Sequence, residues 1–591
     1  MRHLILIAFV LAGTVLASRP CLADEAASPY FEPKVKLAFN RLYDYPELVE
    51  AMRALVEGHP ELLSMASAGK SFEGRDLWYI TINNPETGSD TSKPAFYCEG
   101  NIHGNEVQAA EACLYMVWYL AENYGRLDRV TEMVDQRAFY VVPTVNPDGR
   151  AWWFNGPNTT NSSRSGKAPI DDDRDGLSDE DGYDDLNGDG QITQMRRKSP
   201  DGPYAVSPID PRAMVPIRPD QEVRGDRYEL LGNEGIDNDG DGRVNEDAPG
   251  GYDMNRNWPA DWQPNHIQGG AGPYPLCWPE TRAIAEFILD RPNIAGVQSY
   301  HNAGGMILRG PAHPSRDGEY PREDENLART IGEVGARLLP FYRNWIIYKD
   351  LYAVRGGFVN WTYEHLGIFS YTNELWNNAQ LLGPSPAGGS TLEQAVGASG
   401  QEAQLFANDR LMMGANFVEW APFDHPTYGP IEIGGFVKES QRVPPPFMME
   451  ELCHRNTAFV LYHADQMPLL RWRDVEVEAI GEGVFQITAE VENTRVLPTR
   501  SAQARRRNIG LPDRATIAGD DLTVLGGGRL LDRDFGQLDP VEHGPERVML
   551  PNGVSGRSIE RIRWFVQGSG EATIRFEAEK GGTLETTVTL E

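Results

Sequence analysis

Ala95-Phe-Tyr-Cys-Glu-Gly100-Asn-Ile-His103-Gly-Asn-Glu106 is an apolar run that breaks at a glycine and closes on an imidazole and a carboxylate three residues apart. Ala95–Cys98 reads as a strand, and residues 106–123 carry the apolar repeat of an amphipathic helix. Strand, short loop and helix form the unit of open α/β sheets, whose ligands gather beyond the carboxyl ends of the strands. Alone, His-x-x-Glu is a weak signal, because many chains contain it by chance. Two more apolar strands end in chemically similar residues: Val297-Gln-Ser-Tyr-His301 and Gly367-Ile-Phe-Ser-Tyr-Thr-Asn-Glu374. Two histidines and one glutamate make a zinc site with a fourth position left open for water. A free glutamate beside them serves as general base.

The same texture extends outward. Leu77–Ile82, Ala138–Val142, Gly296–Tyr300 and Ile368–Thr372 read as strands, and 46–66, 279–289 and 324–339 as helices. The expected fold is an α/β domain over about 36–465, a mixed sheet flanked by helices. Two stretches interrupt it: 155–250, rich in Asp, Gly and Pro, and 377–446, rich in Gly, Ala and Pro. From 468 to 591 the pattern turns to alternating β (Val475–Ala479, Val484–Val491, Glu571–Ala578, Leu584–Leu590) with no evident helix. That implies a separate all-β, sandwich-like module.

The chain has 591 residues, of which 40% are apolar and 10% aromatic, as in ordinary globular proteins. Its 86 acidic and 55 basic residues give a net charge of −31. Phosphate binding wants a basic face, so with this charge balance a nucleic-acid partner is not expected. Arg2-His3 followed by the apolar run Leu4–Ala17 and Cys-Leu-Ala at 21–23 reads as a signal peptide, 1–23, cut after Ala23. The expectation is a secreted or periplasmic protein with no membrane attachment after cleavage. Cys98, Cys113, Cys277 and Cys453 would then lie in an oxidising compartment, where one or two disulfides are open to them.

Much of the negative charge is concentrated in the first insertion. Asp171, Asp173, Asp175, Asp179 and Asp181 recur at matching offsets as Asp237, Asp239, Asp241, Asn245 and Asp247. A third loop starts Asp185-Leu-Asn187-Gly-Asp189-Gly190. Oxygens at alternate positions around a sharp glycine turn converge on a hard cation, so these loops are read as structural calcium sites. They depart from a helix–loop–helix calcium loop: the third has Arg196 where a two-oxygen glutamate belongs, and the first two place their acid one position early.

Several motifs in order carry a family resemblance. They are Gly69-Lys-Ser-Phe-Glu-Gly-Arg-Asp-Leu, His103-x-x-Glu106, Asn146-Pro-Asp-Gly149, Tyr252-Asp-Met-Asn255-Arg256-Asn257-Trp258, the Pro-Glu-Thr helix within Pro275–Ile288, His301, Tyr352-Ala-Val-Arg-Gly356-Gly357 and Thr372-Asn-Glu374-Leu375. The chain resembles a zinc carboxypeptidase of the carboxypeptidase A family, metallopeptidase family M14, over about 36–376 and on toward 465.

The resemblance implies that His103, Glu106 and His301 hold zinc and that Glu374 moves the proton from the attacking water to the leaving amine. It implies that Asn255 and Arg256 bind the terminal carboxylate, suited to a bidentate guanidinium fork, and that Tyr352 closes over it. Arg164 is the candidate for the oxyanion arginine, with Arg196 and Arg197 as alternatives. Val359 aligns with the pocket base and favours a neutral or apolar C-terminal residue. Asn105 stands where the family often has arginine. The expected activity is removal of the C-terminal residue from peptides or proteins with a free carboxylate. The alternatives are a peptidoglycan-stem peptidase or other zinc amidase on the same scaffold, and an inactive, calcium-stabilised surface binding protein.

Overall fold

The computed structural model describes residues 31–171, 174–218, 225–377 and 400–591. The signal-peptide reading, Asp173 and the start of the second insertion therefore lie outside the described residues. Among those described, no helix is long and apolar enough to cross a membrane.

An eight-stranded mixed sheet organises the first domain. Its strands are β1 (Leu63–Lys70), β2 (Asp76–Ile82), β3 (Ala95–Gly100), β4 (Ala138–Val142), β5 (Ile294–Asn302), β6 (Met306–Arg309), β7 (Arg343–Ile346) and β8 (Phe369–Leu375), in the order β1-β2-β4-β3-β5-β8-β6-β7. The central strands β4, β3, β5 and β8 run parallel. All of β3 is buried: Phe96 and Cys98 enter one core, Ala95 and Tyr97 the other. That two-sided burial is why the central strands read as continuous apolar runs rather than as alternating ones.

Helices cover both faces. The first, α1 (Tyr45–Gly58), is capped by Asp44, whose side chain accepts from Glu47 N while Glu47 returns to the Asp44 amide. The helix expected over 46–66 ends here, because His59-Pro60 stops it and Leu63 already belongs to β1. Next comes α2 (Gln108–Asn123), buried almost all round rather than on one face. The long helix Pro446–Gln466 packs on its outer side, and Glu111 is neutralised inside by Arg150.

The two insertions build one structure. The strand Gln194–Lys198 of the first lies between Arg227–Asn233 and Gly429–Phe436 of the second in a six-stranded sheet. The C-terminal domain has a five-stranded and a four-stranded sheet enclosing one core around Trp564, Ile487 and Phe576. It also contains a short helix, Ala502–Arg507, which the alternating pattern concealed. That helix docks on the first domain: Asp324 accepts from the Ala502 and Gln503 amides, and Arg505 pairs with Glu323. The four described cysteines are free, and Cys98, Cys113 and Cys453 share one apolar core, so none of the pairings left open by the sequence is formed.

Candidate active site

The carboxyl ends of β3, β5 and β8 meet at one cleft of about 200 Å³. His103 and Glu106 follow β3, His301 lies near the end of β5, and Glu374 stands opposite His301 across the parallel pair β5/β8. Glu106 joins both imidazoles: His103 Nδ1 lies 3.0 Å from its Oε1, and His301 Nδ1 lies 2.9 Å from its Oε2. The two Nδ1 atoms are 3.1 Å apart, and all three residues are buried.

A second layer orients the ligands. His103 Nε2 lies 2.9 Å from Asp253 Oδ1, which places the ring proton on Nε2 and turns the Nδ1 lone pair inward. Against the cost of burial, Arg256, His103 and Arg164 hold Asp253 well below the usual carboxylate range. Two inward-facing ring nitrogens at 3.1 Å cannot hydrogen-bond each other without a shared proton, whereas a cation satisfies both. The buried Glu106 Oε2 likewise accepts no hydrogen bond. These donors fit zinc, with three protein ligands and one open position.

Arg164 is delivered by a close backbone approach. Gly104 donates to Arg164 O at 2.9 Å, and a Cβ on Gly104 would fall 2.2 Å from Ser163 O. The guanidinium then reaches Glu106 Oε1 at 3.2 Å and Asp253 Oδ2 at 2.9 Å. Arg196 and Arg197 are elsewhere, pairing with Glu432 and Glu229 on the insertion sheet. Of the three candidate arginines, Arg164 is the one in the cleft.

Arg256 donates to Asn255 O at 2.8 Å and to the Tyr352 hydroxyl at 3.4 Å, while Asn255 Oδ1 accepts from Phe358 N at 2.9 Å. Gly356 has φ +65°, and a Cβ there would meet Arg256 O at 2.1 Å, so glycine lets the Tyr352 loop lie on the Asn255–Arg256 backbone. Tyr352 itself is 50% exposed. Val359 lines the cleft together with Met306, Leu308, Ile347 and Val354. Burial, reinforced by the charge on Glu106, pushes the Glu374 carboxyl up to about 7, with His301, Arg164 and Arg442 pulling the other way.

Two residues of the site escaped the sequence reading. Asp253 stands inside the quoted Tyr252–Trp258 motif, two residues before Asn255, and its position there was a usable signal. Arg442 had none, since it ends the second insertion beside a proline run. It donates to Asn302 O at 2.6 Å and Glu106 Oε1 at 3.3 Å. Asn105, by contrast, turns away and donates to Thr160 O.

The acidic loops are assembled differently from two separate repeats. Asp181 and Asp247 form a β-bridge, and the loops exchange bonds across it. Asp181 accepts from Asn238 and from Asn245 N, and Asp247 accepts from Asp179 N. Carboxylate oxygens gather within 4.8 Å in three groups: Asp175, Glu180 and Asp239; Asp181, Asp239 and Glu246; Asp237, Asp239 and Asp241. Asp171 is spent on its own turn, accepting from Arg174 N and Gly176 N. Asp185 does the same for Asp189 N and Gly190 N, and Asn187 Nδ2 donates to Asp189 Oδ2.

The zinc carboxypeptidase family model matches residues 48–217 and 225–394, more than half of the chain and the whole of this cleft except Arg442. The chain belongs to the zinc carboxypeptidase family. A second family model, described as a domain of unknown function, matches 469–589 of the C-terminal domain. Among curated proteins, mouse carboxypeptidase D is 35% identical over 114 residues, 19% of this chain and 8% of that protein. A zinc carboxypeptidase of Saccharothrix mutabilis subsp. capreolus is 31% identical over 112 residues, 19% of this chain and 25% of that protein. The chain thus spans well under two thirds of either relative. Solved structures of similar shape include thrombin activatable fibrinolysis inhibitor (15% identity, TM-score 0.43, covering 73% of this chain and 76% of that one). Carboxypeptidase A from Helicoverpa armigera is 20% identical with TM-score 0.39, over 60% of this chain and 69% of that one.

Proposed function

We propose that this zinc carboxypeptidase-family chain is an exported exopeptidase that removes a neutral or apolar C-terminal residue from peptides bearing a free α-carboxylate. The observation that carries the reading is one cleft in which the His103–Glu106–His301 group and Glu374 share a wall with the Arg256–Tyr352 pair. Arg256 offers a planar fork that matches a carboxylate, and the hydroxyl of Tyr352 lies beside it. Among the described lining residues the acids are Glu106 and Glu374, so none remains to receive a basic C-terminal side chain. Val359, Met306, Leu308 and Val354 offer apolar surface instead.

Bound at His103, Glu106 and His301, zinc would supply Lewis acidity and lower the pKa of water. Glu374, poised near neutrality, takes the proton of the attacking water and returns it to the leaving amine. Arg164 faces the oxygen on which negative charge develops. Asn255, Arg256 and Tyr352 fix the substrate end, so the bond presented is the last one. The complete set of chemical groups disfavours an inert binding protein. Export rests on the Leu4–Ala17 run, and structural calcium on the acidic loops.

Stripping the full chain of metal, restoring zinc and following peptide cleavage by mass spectrometry tests this. Single-residue loss from the C-terminus only after zinc is restored supports the reading, and internal cleavage or no cleavage refutes it.

A further inference from the structure

The short helix Glu439–Arg442 borders two spaces. Arg442 lines the catalytic cleft, and Glu439 and Ser440 line a second cavity of about 500 Å³. A second stretch is shared in the same way: Glu374 lines the cleft and Trp376, two residues on, lines the cavity. Residues two or three apart in a chain stand roughly 5–7 Å from each other, so the spaces are neighbours.

The cavity is closed over the end of helix Pro147–Phe154 by residues between 404 and 446, which lie outside the segments matched by the zinc carboxypeptidase family model. Lys438 clamps the two together: its Nζ donates to Trp153 O at 2.6 Å and to Gly156 O at 3.2 Å. Trp153, Phe154, Trp376, Phe436 and Met449 make the walls apolar and largely aromatic. The lining charges are few. Lys438 is spent on those carbonyls, Arg41 pairs with Glu47, and Glu439 disfavours an acidic occupant.

One buried donor is left over. Asn408 lines the cavity and is 3% exposed. Its Oδ1 accepts from Asn416 N at 2.9 Å, while its Nδ2 has no acceptor. An unpaired buried amide donor is costly, and an occupant that carries a carbonyl removes the cost. Apolar walls with a few polar groups to fix orientation are the make-up of a ligand site.

We propose that this cavity selects the substrate upstream of the cleaved bond, taking a bulky apolar side chain while Asn408 Nδ2 donates to a carbonyl of the same peptide. The position of the cavity argues for that occupant. A peptide anchored by its last residue at Arg256 and Tyr352 has to lead its earlier residues out of the cleft. Arg442, on the border with the cavity, makes its hydrogen bonds at Asn302 and Glu106 rather than at that anchor. This inference rests on the exopeptidase reading, and its test keeps the two apart.

Zinc-restored full chain is given alanine peptides that share an apolar last residue, with a single phenylalanine moved stepwise upstream of the cleaved bond. At one position phenylalanine should raise kcat/KM by at least about 10-fold over alanine, as expected for burying a ring, and aspartate there should not. In Phe436→Ala that ratio should fall toward one. Asn408→Asp keeps an oxygen for Asn416 N and removes the donor. It should raise KM for the preferred peptide by about 3-fold or more beyond its effect on a blocked dipeptide. If the last residue is released but no upstream position matters, or if Phe436→Ala keeps the full preference, the pocket assignment falls and the exopeptidase reading stands. If no peptide loses its last residue, both fall. Should Phe436→Ala not fold, Asn408→Asp decides, and an equal effect on the two substrates overturns the proposal.

Discussion

Glu374 and His301 stand directly opposite each other across the parallel strands β5 and β8. The proposed general base is thereby set by strand register against a proposed zinc ligand, with no loop between them. A one-residue slip would turn Glu374 to the other face of the sheet. Glu374→Gln should therefore leave the fold and zinc content intact and lower kcat by ~10²–10⁴-fold. Zinc analysis alongside steady-state rates checks this, and an active variant with full zinc would remove Glu374 from the mechanism.

Arg256 hydrogen-bonds backbone and a tyrosine hydroxyl and lies 3.9 Å from Asp253 Oδ2, a longer contact that leaves its guanidinium fork open toward the cleft. Arg256→Ala should cost about 2–5 kcal/mol in transition-state binding of free-acid peptides, the range for stripping one partner from a buried charge pair. Peptides with an amidated end should lose far less. Equal losses on the two substrates would place Arg256 outside the carboxylate site.

Asp253 fixes the His103 ring through Nε2. Asp253→Asn should weaken zinc binding by roughly 10–100-fold, the usual effect of losing a ligand's hydrogen-bond partner. Competition with a chromophoric chelator reads this directly, independent of turnover, and unchanged affinity would contradict it.

Glu99 is fully buried behind the site, with Tyr97 Oη donating to Oε2 at 2.8 Å and Ser299 Oγ donating to Oε1 at 3.1 Å. Burial pushes its pKa up to about 8. The folded value lies above the unfolded one of ~4.3, so the folded state keeps a proton that the unfolded chain releases. Stability from this group is full below the unfolded value and declines as pH rises toward about 8. Glu99→Gln removes that dependence. Its Tm relative to wild type should climb between about pH 5 and pH 9, and a flat difference would show that Glu99 is ionised in the fold.

Much of this arrangement was legible in the sequence because the central strands are buried on both faces. Compact runs such as Ala95–Cys98 and Val297–Tyr300, each followed closely by His, and the run that ends in Glu374 marked the strands and the end of the sheet that holds the site. Contacts between distant segments were not legible. Nothing local in α2 shows that Pro446–Gln466 covers its second face, nor that the two insertions share one sheet. Arg442 reaches Glu106 from the end of the second insertion, and no spacing rule links those positions. The repeat in the acidic loops was visible, but their exchange through Asp181 and Asp247 is a tertiary event.

The most direct test uses two peptides of one sequence with an apolar last residue, one ending in a free carboxylate and the other amidated. Each is offered to chelator-treated enzyme and to the same enzyme after zinc is restored. The account predicts release of the single terminal residue from the free acid, with zinc only, and little from the amide. Comparable cleavage of both peptides, or full activity without zinc, would contradict it.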